Sequence, residues 1–384
     1  MCHPVRSERP GRVALRSTVR EIIVSEHPEL SPSAARKSLG ELIGQYWSWL
    51  FLLIIIVAIA ALDRSGGFVS LFNFQSLGAN MAIVLIMALG QTFVIISGGI
   101  DLSSGFVMGL AAVSAATVMT ALGNTFPIGI NFGVALLVSV IVSLIPGFIN
   151  GFFIARLGVP PFIVTLGMLG IARGVGFLIS GGQPVSVNVK DMGQIGNGFL
   201  AYFSPSRNLW TFLTQPVGLR GPEVRELVRI LPFPLIYIIA LLFICAFLLA
   251  KTRFGQHTYA IGGNKEAASR AGIRVQAHLI KVYMFSAFMS ALAGVLYTVR
   301  FTSGAANAGD PLLLDSIAAV VIGGASLFGG AGTIIGTLIG ALIIAIIQNG
   351  LVILAINPFW QFVAVGIVII LAVLVDQAKA KVVQ

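Results

Sequence analysis

The sequence predicts an all-α integral membrane protein of about ten transmembrane helices, some of them Gly-rich and broken or re-entrant. Three observations predict it. Of 384 residues, 57% are hydrophobic and only 10% are charged, where a soluble domain carries about 25% charged residues. The mean hydropathy is +0.96. Apolar runs close to or beyond the ~18 residues of a spanning helix recur along the chain, without the weak ~10-residue alternation of a β-barrel.

The elements follow in order. Residues 1–44 carry seven basic and five acidic side chains and four prolines. They read as a cytoplasmic tail with a short helix near Ala34–Ile43. So long a polar lead is unlike a secretory signal, and the "AIAA" at Ala58–Ala61 is read as part of an uncleaved first span. A polytopic domain covers 45–376, and 377–384 forms a C-terminal tail. Spans are expected near 46–62, 78–97, 103–122, 130–154, 161–180, 232–250, 279–299, 312–328, 331–350 and 359–376. The eighth and ninth are Gly-rich. The bilayer tolerates broken backbone there only where protein or a cavity surrounds it.

An even number of spans places both termini on one side. Lys251, Arg253, Lys265, Arg270, Arg274 and Lys281 face one acid, Glu266, between positions 251 and 281. That bias makes the loop 251–278 cytoplasmic, with both termini and Arg156 on its side. The loop 181–231 then lies on the opposite, periplasmic face. It holds five basic and three acidic residues, and its stretch Gly221–Ile230 reads either as a short amphipathic surface helix or as ordinary loop decoration.

Composition also excludes function classes. The net charge of +10 follows the loops and so reports membrane orientation, not nucleic-acid binding. No phosphate-cradling Gly-Lys-Ser/Thr turn is present, so ATP hydrolysis is not expected in this chain. His3, His27, His257 and His278 lack metal-ligand spacing, and no catalytic triad suggests itself. No cofactor, metal or catalytic residue is expected. Cys2 and Cys245 fall in unlike surroundings, so Cys245 reads as a packing residue. Movement of a solute across the bilayer is the function left.

Polar residues within the spans are the candidates for a translocation pathway: Gln91, Asp101, Ser103, Asn150, Arg173, Gln348 and Asn349. From Gly66 to Val189 the ionisable residues are Asp101, Arg156 and Arg173 alone. A charge at membrane depth needs a partner, a cavity or an interface. Asp101 can pair with Arg173, or Asp101 or Ser103 can cap the next helix. Arg173 can equally snorkel to an interface. Gln91, Gln348 and Asn349 read more readily as interhelical glue than as ligands for a solute. "SGGIDLSSG" (97–105) is echoed by "IGGASLFGG" (322–330), and "FINGFF" (148–153) by "IQNGLV" (347–352). Such echoes suggest a duplicated architecture with paired helix breaks.

In "FGQHTYAIGGNKEAASRAGIRV" (254–275), Asn264 is a good N-cap, Lys265–Ala271 has high helix propensity, and Gly272 can end the helix in a left-handed conformation. Two turns are marginal alone in water, so the helix is expected to dock against something. This loop resembles the "EAA" coupling segment of ABC-importer permeases. The chain as a whole resembles the ribose-type sugar permeases over about residues 45–376. The likeness rests on "GQTFVIISGGIDLSSG" (90–105), "NGFFIARLGVPPFIVTLGMLGIARGVGFLISGGQPV" (150–185), "TRFGQHTYAIGGNKEAASRAGIRV" (252–275) and "LDSIAAVVIGGASLFGGAGTIIGTLIGALIIAIIQNGLVILAINPFWQ" (314–361).

The resemblance implies a homodimeric inner-membrane permease for a monosaccharide or related polyol. It implies a separate cytoplasmic ATP-binding subunit and a periplasmic sugar-binding protein as partners, with membrane lipid around it and no nucleic acid. It assigns ATPase coupling to Gly263, Asn264, Lys265, Glu266, Ala267, Ala268 and Gly272. The family often has Val where Ser104 stands, and the N-terminal extension and 186–231 fit it least. Two alternatives stay open at this point: a branched-chain amino-acid-type ABC permease, against which "GGIDLS" and "NPFWQ" argue, and a secondary transporter without an ATPase.

Overall fold

A computed structural model describes residues 39–383 except Pro358. The tail before Leu39 and the final Gln384 lie outside the described residues, so the tail expected at 1–44 is met only from Leu39 onward. The chain divides into two compact units, Met1–Gln45 and Tyr46–Gln384, and the second contains the helical bundle.

Helix α1 (Leu39–Leu62) is followed by α2 (Leu71–Ile96), α3 (Ser104–Leu122), α4 (Ile128–Arg156) and α5 (Pro161–Ser180). After them come α6 (Met192–Asn197) and a short helix α7 (Gly221–Arg225), set among the strands β1 (Val185–Ser186), β2 (Phe199–Ser204), β3 (Leu209–Phe212) and β4 (Val228–Pro232). Helices α8 (Phe233–Lys251), α9 (Arg253–Gly263), α10 (Lys265–Arg270) and α11 (Val275–Phe301) lead to strand β5 (Ser303–Gly304). Helices α12 (Asp310–Ile322), α13 (Ile334–Ile353) and α14 (Trp360–Val383) complete the chain.

Among the described residues seven helices, α2, α3, α4, α5, α8, α11 and α13, are long and apolar enough to cross a membrane, and Trp47–Leu62 and Trp360–Leu371 are shorter apolar helices. The expected eighth span is different. Helix α12 has 13 residues, about 20 Å at 1.5 Å per residue, too short for a ~30 Å hydrocarbon core. The ninth, α13, has 20 residues and is long enough. Neither helix is itself broken, which corrects the expectation of a break within the eighth or ninth span: the Gly-rich break lies between them, at 323–333.

Helix α2 is the hub. Its apolar window is 94% buried, against 22% for α5 and α8. It packs on α11, α12, α13 and α8, while α11 packs on α4 and α3. The outer faces of α4, α5 and α8 carry exposed Leu, Ile, Val and Phe side chains, the pattern of helices bathed in lipid or in a partner. Cys245 is fully buried and free, a packing residue as expected.

The segment 181–232 is not an ordinary loop. Strands β3, β2 and β4 form an antiparallel sheet in that order, and β1 pairs with β5. Helix α7 covers only the first five residues of Gly221–Ile230, and the last three belong to strand β4, which corrects the amphipathic-helix alternative. The Arg207 guanidinium grips both oxygens of Glu223 (3.0 and 2.8 Å), whose carboxylate also accepts the Arg220 backbone amide (2.7 Å). Those bonds, the Arg207 one foremost, hold the Glu223 carboxyl below the usual carboxylate range.

Candidate functional site

Helices α2 and α12 stop in the same way. At Gly98 (φ +82°) and Gly324 (φ +90°) the backbone turns left-handed. Gly98 N–H donates to the Ile95 carbonyl (2.9 Å) and Gly99 N–H to that of Val94 (3.0 Å). Gly324 N–H donates to Val321 (2.9 Å) and Ala325 N–H to Val320 (3.2 Å). Both are Schellman stops, which need a residue without a Cβ at the left-handed position. The structural match, Gly98 with Gly324, is one residue out of step with the sequence echo.

The first break doubles back. Gln91 lies five residues before the end of α2, about 7.5 Å along the axis, yet its amide donates to the Asp101 carbonyl and to Ser104 Oγ (2.8 Å). Helix α3 therefore starts inside the bundle. On its other side the chain after β5 descends beside it. A Cβ on Gly109 would meet the Ala306 carbonyl, and Gly105 and Gly309 abut with no room for side chains. Helix α12 therefore begins beside the start of α3.

A buried polar network fills this junction. Asp101 Oδ1 accepts from Ser103 N–H (2.9 Å) and Ser103 Oγ (2.6 Å), and Oδ2 accepts from Ser286 Oγ of α11 (2.8 Å). Asn150 Nδ2 of α4 donates to Ser103 Oγ (2.8 Å). Gln91, Asp101, Ser103 and Asn150 are thus brought together, all buried. Ser103 makes no side-chain bond of an N-cap to the first turn of α3. Instead Asp101 closes a local turn just ahead of the helix and ties it to α11.

Arg173 is elsewhere, so the pairing of Asp101 with Arg173 is corrected. It lies on an exposed face of α5, its guanidinium 5.4 Å from the Phe106 ring centre and 5.9 Å from that of Phe177. Nearby, Gly176 of α5 approaches Ala306, and Asn307 and Asp310 beyond it are exposed. Sequence reasoning missed Asn307 and Asp310 because the length of α12 was not legible: an overlong eighth span starts after them. Asp310 and buried Asp315 border a cavity of about 470 Å³ that α14 completes with Phe362, Val365 and Ile369.

Gln348 and Asn349 form a separate group. Gln348 Nε2 donates to Asp315 Oδ2 (2.9 Å). Asn349 and Asn73 exchange amide bonds (2.8 and 3.1 Å) across α13 and α2. Gln348 and Asn349 also line a cavity of about 270 Å³ with Ser76, Asn80 and Gln361. Asp315 was also missed, although an acid in an apolar run is the signal that singled out Asp101.

The basic loop holds two helices. Helix α10 is capped as expected, with Asn264 Oδ1 accepting from Ala267 N–H (2.9 Å) and Gly272 at φ +84°. Lys265 and Glu266 are exposed, and Glu266 pairs with Arg270 four residues on (2.6 Å). Ala268 is buried with Ile261, Val275 and Leu279, which seats α10 on the bundle. Helix α9 was not foreseen. Gly255 in its first turn lies against the Leu249 backbone, and Phe254 stacks on Phe93 of α2 (5.5 Å) and edge-on to Phe285 of α11 (5.9 Å). Its far end touches both breaks. A Cβ on Gly262 would overlap the Ile96 carbonyl and lie 2.6 Å from Gly330 N. Gly330 N–H donates to that Ile96 carbonyl (2.8 Å), and Tyr259 donates to the Gly332 carbonyl (2.6 Å).

The sequence relationships agree with this architecture. The family described as branched-chain amino acid transport system / permease component matches residues 74–373. The ribose import permease protein RbsC of Bacillus subtilis (strain 168) is 36% identical over 362 residues, covering 94% of this chain and 99% of its own. The galactose/methyl galactoside import permease protein MglC of Escherichia coli (strain K12) is 34% identical over 339 residues, 86% and 93% of the two chains. The xylose transport system permease protein XylH of the same strain is 34% identical over 367 residues, 85% and 92%. No solved structure matches. A multi-pass helical bundle with paired helix breaks, matched over 300 consecutive positions by one family and nearly end to end by these relatives, belongs to that permease family.

Proposed function

We propose that this chain is the membrane subunit of an ATP-driven importer that carries a monosaccharide or related polyol across the bacterial inner membrane. The observation that carries the reading is the near full-length likeness to permeases named for ribose, galactose and xylose. The same names weigh against an amino-acid cargo, despite the family's description. A separate cytoplasmic ATPase subunit takes the exposed face of this loop, around Gly263–Ala267 and Gly272, with buried Ala268 seating α10 behind it. A periplasmic binding protein delivers the sugar to the face that carries 181–231. Both termini and the α9–α10 loop are cytoplasmic, in keeping with their basic residues.

Two copies enclose the pathway. Arg173, Asn307 and Asp310 are its lining in this reading, since exposed polar groups at membrane depth are costly against lipid. The network of Gln91, Asp101, Ser103 and Asn150 is a positioning element that fixes the start of α3 behind that lining. Closure of the ATPase subunits displaces α9 and α10. The contact of Gly262 with both breaks passes the motion to α2 and to the α12–α13 pair. ATP biases the switch because the ATPase contacts the two states differently.

Reconstitution with the ATPase and the loaded binding protein tests the proposal. Glu266→Arg is expected to abolish sugar uptake and sugar-stimulated ATP hydrolysis while the thermal midpoint holds, because the Glu266–Arg270 pair is exposed and contributes about 0.5 kcal/mol or less. Uptake that persists with no ATPase present would identify a secondary transporter instead.

A further inference from the structure

The three-stranded sheet of 199–232 has a face that is apolar throughout. The register pairs Ala201 with Phe212 and Ile230, and Phe203 with Trp210 and Val228. Alternation along a strand then puts these six side chains on the same side. Phe203 and Trp210 lie ring to ring at 4.7 Å. Trp210 is 52% exposed and Phe212 is 66% exposed, and Val228 and Ile230 are exposed as well. Leu213 and Leu231, at the ends of β3 and β4, have φ of +64° and +57°. Bulky side chains rarely adopt such angles, so the backbone bends here at a cost. An exposed apolar patch of this kind marks a contact surface.

What covers it follows from its neighbours. Strand β4 passes into α8 with no residue between, and α8 exposes Ile239, Phe243, Ile244 and Phe247, the surface of a spanning helix. The other edge of β4 lies against the start of α2, where Gln75 donates to the Arg229 carbonyl (2.7 Å). There Val69, Leu71, Phe72 and Phe74 are exposed in turn. The apolar surface of the spanning helices thus continues through the chain into the sheet. Aromatic rings at that level, with five basic residues against three acidic ones in 181–231, are the composition of a segment seated among lipid headgroups.

We propose that the Phe203–Trp210–Phe212 face of this sheet rests in the headgroup layer of an anionic bilayer, anchoring the loop beside the outer mouth of the bundle. Neither transport nor an ATPase enters the argument, so it stands or falls apart from the function proposed above. The test uses the full chain with Trp47, Trp49 and Trp360 replaced by Phe, leaving Trp210 as sole reporter. It is reconstituted in vesicles of phosphatidylethanolamine and phosphatidylglycerol. Lipids brominated high on the acyl chain are expected to quench Trp210 strongly, and aqueous iodide weakly. A Phe212→Ser, Val228→Ser variant is expected to reverse that order while far-ultraviolet circular dichroism stays unchanged. Quenching by iodide and not by brominated lipid in the parent would overturn the proposal. So would shielding from both, at once or on adding the binding protein, which would assign the face to a second copy or to that protein.

Discussion

The two helix breaks, 97–103 and 323–333, begin alike and are held differently. Each opens with a left-handed glycine and the same pair of backbone bonds. Past that point the first break is pinned by side chains: Asp101 gathers Ser103 and Ser286, with Asn150 and Gln91 behind them. The second is pinned mainly by backbone. Ser326 N–H donates to the Ala331 carbonyl (3.0 Å) and Gly330 N–H to Ile96, across glycines that leave no space for a side chain. One stop motif can thus serve a rigid polar junction and a close backbone contact. The first specifies geometry through hydrogen bonds that the bilayer interior makes costly to lose. The second specifies it through shape.

That contrast can be broken by substitution. The largest effect is expected at Asp101. Asp101→Ala strands the Ser103 amide and the Ser103 and Ser286 hydroxyls, each at about 1–3 kcal/mol when buried without an acceptor. A fall in unfolding free energy of about 3 kcal/mol in detergent is expected, with a smaller fall for Asp101→Asn, which keeps one carbonyl acceptor. Gly262→Ala comes next. Its methyl has backbone on two sides and little freedom to relax, so overpacking of about 1–3 kcal/mol is expected, read from the thermal midpoint. Because Gly262 touches both breaks, coupled ATP hydrolysis should fall further than that stability loss alone would produce. The smallest effect is Thr333→Ala. Thr333 Oγ1 caps α13 at Gly336 N–H (2.9 Å), and its loss should cost about 1 kcal/mol by the same unfolding measurement. If Asp101→Ala costs no more than Thr333→Ala, the side chains do not hold the first break and the contrast fails.

Much of this was legible in the residues. Hydropathy located nearly every spanning helix, because a run of apolar side chains has one low-energy home. Asn264 and Gly272 marked the ends of α10, because caps are local chemistry. Asp101 stood out as an acid in an apolar stretch. Helix α9 was hidden, because its glycines and its apolar Phe254 read as loop until packing on α2 gave them a purpose. The sheet of 199–232 was hidden as well. Its strands are short, and their pairing joins residues as far apart as Phe199 and Pro232.

By itself, then, the sequence determined the class of the fold, the cap at Asn264 and the resemblance to sugar permeases. All of these depend on composition, on local hydrogen bonding or on long matched motifs. Only the tertiary structure decided which polar residues meet. It gathered Gln91, Asp101, Ser103 and Asn150, left Arg173 on an exposed face, and tied Gln348 to Asp315. It also shortened α12 and brought Gly262 against both breaks. The reason is that a buried polar group must find a partner wherever the folded chain supplies one. In this bundle those partners lie as much as 276 residues away, between Asn73 and Asn349.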